Sequence, residues 1–168
     1  MPARPLELTV DQQQLAAIAK AMKADTAAKD LRRELLRNLK AAAAPAVKDA
    51  KSAIASMPSQ GLTQGESLRQ GIARQIKPVV RLTGQRTGVT IQVGRTPNLR
   101  GFGMAGQRTN RKSFRHRVYG RQVWVAQNGK YMWFDATMGS HRAEFRTSVL
   151  DAVQAMADQM AARARSGS

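Results

Sequence analysis

The chain of 168 residues contains no cysteine and only two histidines, His116 and His141. The first absence excludes disulfide scaffolds, thiolate metal sites and cysteine nucleophiles. The second leaves no basis for a histidine-rich metal centre, so no metal and no cofactor is expected. Aromatic residues make up 5% of the chain, and much of the 42% that is hydrophobic is alanine. A core built from such residues is thin. Helices packed through Ala and Leu are expected, with further burial against partner subunits. No run approaches the ~18 apolar residues that a membrane span needs. Met1 to Leu8 shows no apolar h-region of a secretory signal, so an intracellular chain is expected, soluble or part of an assembly.

Acidic residues are missing from one long stretch. Between Ser67 and Phe134 there is no Asp or Glu, whereas 14 of the 28 Lys and Arg residues lie there. The flanks are nearly balanced, with ten basic and seven acidic residues in 1–66 and four of each in 135–168. The formal net charge of +17 therefore concentrates in the middle of the chain. A one-sign block needs a counter-charge or solvent around it, which points to nucleic acid or an acidic protein surface. Its densest part, Gln107 to Arg121, holds Arg108, Arg111, Lys112, Arg115, Arg117 and Arg121, with Arg100 just ahead. Phe114 and Tyr119 stand among these cations, a composition suited to phosphate contact with some aromatic stacking. No helix-turn-helix, zinc finger or RNP motif supports sequence-specific reading.

Catalytic sets are missing too. There is no Gly-x-Ser-x-Gly, no phosphate-loop GxxxxGK[ST] and no HExxH. Gly101-x-Gly103-x-x-Gly106 spells G-x-G-x-x-G, but no βα pattern surrounds it and no acid lies ~20 residues on, so it reads as a loop. His116 and His141 have no carboxylate beside them in the sequence, and the acid-free stretch rules out a carboxylate pair there. Glu144 or Asp135 could reach a site only through the fold. The chain is therefore not expected to be an enzyme.

The periodicity predicts an α+β protein. Thr9 and Gln12 fit a capping box ahead of a short helix with Leu15, Ile18, Ala19 and Met22 at helical spacing. Asp25 or Thr26 can cap a second helix, striped by Leu31, Leu35, Leu39, Ala42, Ala46, Ala50 and Ile54. Pro45 lies within that stripe, and the four alanines before it favour one long kinked helix, roughly 45 Å long and ending near Pro58. A short helix is expected over 64–76, closed by Pro78. Val79 to Leu82 and Gly88 to Val93 read as strands of a hairpin, the second half-buried, with Val89, Ile91 and Val93 on one face. A loop without periodicity covers 94–113. One or two strands follow, in Phe114–Gly120 and Gln122–Gln127, and then a helix from about Asp135 to Ala164 striped by Phe145, Val149, Val153, Met156 and Met160. Residues 1–24 are expected as an arm with a short helix, 25–164 as a single domain, and 165–168 as a flexible tail. In that domain the long helix and the C-terminal helix pack on a small, mainly antiparallel sheet that carries a long basic loop.

The stretch Arg115-His116-Arg117-Val118-Tyr119-Gly120, followed by Trp124-Val125-Ala126-Gln127 and Trp133-Phe134, resembles the tail-component proteins of long-tailed bacteriophages, the HK97 gp10-like family. Members commonly show Arg-His-Pro before the Tyr/Phe-Gly pair; here Arg117 stands in the place of that Pro. The order of elements agrees over about residues 26–162. The resemblance implies a structural virion protein of the neck, in a hexameric ring that joins the head connector to the tail tube or tail terminator. It implies assembly in the host cytoplasm and no catalytic residue. On this reading residues 98–117 dock onto neighbouring proteins or face DNA in the channel. A nonspecific nucleic-acid-binding protein using residues 67–134 is the alternative.

Overall fold

The computed structural model describes residues 7–9, 13–24, 29–57, 68–83, 87–96, 103–117 and 122–166. The expected capping box at Gln12, the helix cap at Asp25 or Thr26, and the centre of the first hairpin loop fall outside them. In chain order the elements are β1 (Glu7–Thr9), α1 (Gln13–Ala24), α2 (Lys29–Ala42), α3 (Ala44–Ala55), α4 (Leu68–Arg74), β2 (Ile76–Arg81), β3 (Gly88–Val93), α5 (Ala105–Thr109), β4 (Ser113–Arg117), β5 (Trp124–Asn128) and α6 (Trp133–Ser166). The class is α+β, with a long C-terminal helix. By contacts the chain forms two compact units, one of Met1–Glu7, Ala46–Lys77 and Ile91–Ser140, the other of Leu8–Pro45, Pro78–Thr90 and His141–Ser168.

Where the sequence favours one kinked helix, the structure has two, with Ala43 between them and Pro45 as the second residue of α3. Proline has no N–H to offer Ala41 and its ring crowds that carbonyl, so the ladder stops just before it. At the first turn of a new helix that N–H is unneeded. The break also shifts the buried stripe. Leu31, Leu35 and Leu39 are buried as expected, but Ala43 replaces Ala42 as the next core residue, ahead of Ala46, Ala50 and Ile54.

A three-stranded sheet has the order β1-β3-β2. Six residues join β2 to β3, too few for a parallel crossover, so the pair is antiparallel. β1 is a strand that the proline-bearing lead-in gives no sign of. β2 starts at Ile76, so Pro78 lies inside a strand instead of closing a helix. β2 is at the sheet edge, where a residue without an N–H costs no ladder bond. β3 is the middle strand, and Thr90 is buried along with Val89, Ile91 and Val93. The strand is covered on both faces there, not half-buried.

α6 begins two residues before the expected start and runs 34 residues. Met138, Phe145, Val149, Val153 and Met156 are buried along it, whereas Met160 is half-buried and 161–166 are exposed. Within the second unit, Gln159 Nε2 donates to a Glu34 carboxylate oxygen at 3.1 Å, tying the later part of α6 to α2.

Candidate interaction surface

The dense basic stretch, expected as a loop up to residue 113, contains α5 and leads into a two-stranded antiparallel sheet. β4 and β5 pair as Ser113 with Asn128, Phe114 with Gln127, Arg115 with Ala126, His116 with Val125 and Arg117 with Trp124. Residues directly opposite share a face. Phe114 is buried and Gln127 half-buried, so their face is turned inward. Ser113, Arg115, Trp124, Ala126 and Asn128 are exposed, which makes theirs the outer face. Trp124 is 58% exposed and its neighbour Val123 is 54% exposed.

The base of this hairpin is held by backbone. Gly129 N–H donates to the Lys112 carbonyl at 3.1 Å, Lys130 N–H to that of Thr109 at 3.0 Å and Met132 N–H to that of Asn110 at 2.9 Å. The chain after β5 is thus zipped onto the chain before β4. A Cβ on Gly129 would run into the carbonyl oxygens of Arg111 and Thr109, so this approach requires glycine. A Cβ on Gly106 in α5 would strike the side chain of Val93, which shows how tightly α5 lies on the end of β3.

Side chains lock the same junction. Asn110 Oδ1 accepts the Phe134 N–H at 3.0 Å, and its Nδ2 donates to Asp135 at 2.7 Å. A free donor in the first turn of α6 is thereby capped from another part of the chain. Asp135 also sits in that first turn, where a carboxylate suits the helix dipole. Trp133 Nε1 donates to the Thr109 hydroxyl at 3.3 Å, and that hydroxyl donates to the α5 carbonyls of Ala105 and Gly106. Trp133 and Phe134 are each 1% exposed and meet edge to face, with centroids 5.6 Å apart.

The site residues read from the sequence therefore separate. Trp133 and Phe134 are core anchors. Gln127 is half-buried on the inner side of the hairpin, and His116 pairs with Val125 in its middle. Arg111, Lys112 and Arg115 are exposed, and Arg108 is half-buried in α5. Arg117 ends β4 opposite Trp124. Arg100, Val118, Tyr119, Gly120 and Arg121 lie outside the described residues. Phe114 is buried, so it cannot stack on a ligand. The exposed aromatics among the described residues are Trp124 and Tyr131, the latter at 69%.

Comparison with known proteins finds no match to any family model, curated protein or solved structure.

The chemistry of the described residues is that of contact. No group of three or more His, Cys, Asp and Glu among them is placed to hold a metal ion. His141 does have a carboxylate nearby, contrary to the reading of the sequence. Its Nδ1 lies 3.5 Å from Glu144, one helical turn away on α6, with the carboxylate 65% exposed. Such a pair at i and i+3 is an ordinary surface contact of a helix. Thr109, Asn110 and Gly129 are the residues missed in the sequence; the Asn128-Gly129 pair has the composition of a turn, but nothing in the sequence shows that Asn110 caps α6 across 24 positions.

Proposed function

We propose that the chain is a structural subunit of the neck of a long-tailed bacteriophage. It would form a hexameric ring between the head connector and the tail terminator or tail tube. The observation that carries this reading is the pair Tyr131 and Met132 at the hairpin base, 69% and 44% exposed. They are adjacent large side chains on a turn that backbone hydrogen bonds hold to the chain before β4. Met132 is also the non-glycine residue with positive φ among the described residues, at 51°. That conformation costs an L-residue about 1–2 kcal/mol, and such strain concentrates where a protein makes functional contacts. In a chain with so few aromatics, a tyrosine left in solvent on a fixed support suits docking onto a neighbouring subunit. An α+β chain that closes on a long helix supports this reading alongside the resemblance in sequence.

The test has two parts. The solution mass of the purified chain, alone and with head connector and tail tube proteins, should show a ring of hexamer mass in at least one mixture. Exchanging Tyr131 and Met132 together for Glu should abolish ring formation and head–tail joining while leaving the urea midpoint close to that of the wild type. Normal joining by that variant would sink the proposal.

A further inference from the structure

The outer face of the β4–β5 hairpin carries a second, separate feature. Arg115 and Trp124 are diagonal neighbours across the strands, roughly 7–8 Å apart, a distance that long and aromatic side chains bridge. Ala126, directly opposite Arg115 and next to Trp124 on the same face of β5, has only a methyl group and leaves the floor beside the indole open. All three residues are exposed. Arg111 and Lys112 are exposed at the start of β4, and Arg117 is paired with Trp124 at its end. From Ile91 to Ser140 the chain has nine Lys and Arg residues and a single acid, Asp135, which is already engaged by Asn110. Among the described residues of β4 and β5 there is no carboxylate.

We propose that this face binds single-stranded nucleic acid, with a base stacked on Trp124 above Ala126 and the backbone phosphates held by Arg115, Arg111 and Lys112. A row of cations with an exposed ring beside it is the arrangement by which sheets bind unpaired strands without reading their sequence. The cations alone would suit any polyanion. The indole selects. In a duplex the base faces are stacked on one another, and only an unpaired base offers its face to Trp124. An acidic protein surface would satisfy the arginines, but its carboxylates offer no flat face to lie on the indole, whereas every unpaired base does. The inference does not depend on the neck reading, since Tyr131 and Met132 take no part in it.

Intrinsic fluorescence tests it directly. Trp133 is buried, so the tryptophan that a ligand can reach is Trp124. Titrating the full chain with a short oligothymidylate at low salt should quench the emission saturably, and added salt should reverse the effect. Trp124→Ala should abolish the quenching and weaken binding of a labelled oligothymidylate about tenfold, while Trp124→Phe, which keeps a ring, should retain most of the affinity. Arg115→Glu should weaken binding and flatten its salt dependence. Three results would overturn the proposal: Trp124→Ala binding within about twofold of the wild type, a duplex of equal length binding more tightly than the single strand, or polyglutamate quenching as strongly as the oligonucleotide. A variant with Tyr131→Ser and Met132→Ser, which removes the apolar pair without adding charge beside Arg111 and Lys112, should bind the strand normally, so loss of the neck function and loss of this one are read separately.

Discussion

Asn110 serves two elements with one side chain. Its backbone closes α5, with its N–H donating to the Gly106 carbonyl at 3.2 Å, while its amide caps Phe134 and holds Asp135. An amide does both at separate atoms, its oxygen accepting an N–H and its nitrogen donating to a carboxylate. Asn110→Ala should therefore cost about 1–2 kcal/mol, the size of a lost cap with a charge-assisted bond. Asn110→Asp keeps the acceptor for Phe134 but sets a second carboxylate against Asp135, so it should destabilise too. Combining it with Asp135→Asn reverses the roles of the two side chains and should recover most of the loss. Urea unfolding of the four proteins makes the double-mutant cycle. If Asn110→Asp is as stable as the wild type, the contact contributes nothing.

At the scale of elements, Pro45 separates two descriptions that the sequence alone leaves competing. In the interior of one helix it would cost about 3 kcal/mol relative to alanine. At the start of a second helix it costs little. Pro45→Ala should accordingly change the unfolding free energy by less than about 1 kcal/mol, and a gain near 3 kcal/mol would favour the continuous helix. The same contrast shows what the sequence made legible. Spacing at 3.6 residues revealed α2, α3 and α6, because Leu31, Leu35, Leu39 and Phe145, Val149, Val153 are both periodic and buried. β2 and β3 were visible as β-branched runs and β1 was not, and the surroundings of the strands were not legible. Alternation in β3 cannot show that Thr90 is covered, since that depends on what else packs on the sheet. In the hairpin the cations and Trp124 were legible as residue types. Which aromatic is offered to solvent was not, because Phe114 and Trp124 take opposite faces only once the register of β4 against β5 is set. The clamp from Thr109 and Asn110 onto Trp133 and Phe134 joins residues 24 apart with no periodic signal between them.

For the whole molecule the net charge of +17 sets the sign of the response to salt. A chain held together by ion pairs loses stability as salt screens them. Here the ion pair Arg33–Asp30 spans 3.4 Å with both side chains more than two-thirds exposed, and pairs of that kind contribute little. The larger electrostatic effect is repulsion among cations, strongest where nine of them face one acid in Ile91–Ser140. Repulsion grows when the chain is compact and fades when it unfolds, so it opposes folding. Raising the ionic strength from about 0.01 M to 0.1 M shortens the screening length from about 30 Å to about 10 Å, which removes most of the repulsion between cations on different elements. The urea midpoint should therefore rise with sodium chloride over this range. A polyanion that binds the folded chain should raise it further at constant salt, since a ligand that prefers the native state stabilises it. A midpoint that falls as salt is added would mean that attractive pairs outweigh the basic field, and the hairpin cations would then have their counter-charges within the chain.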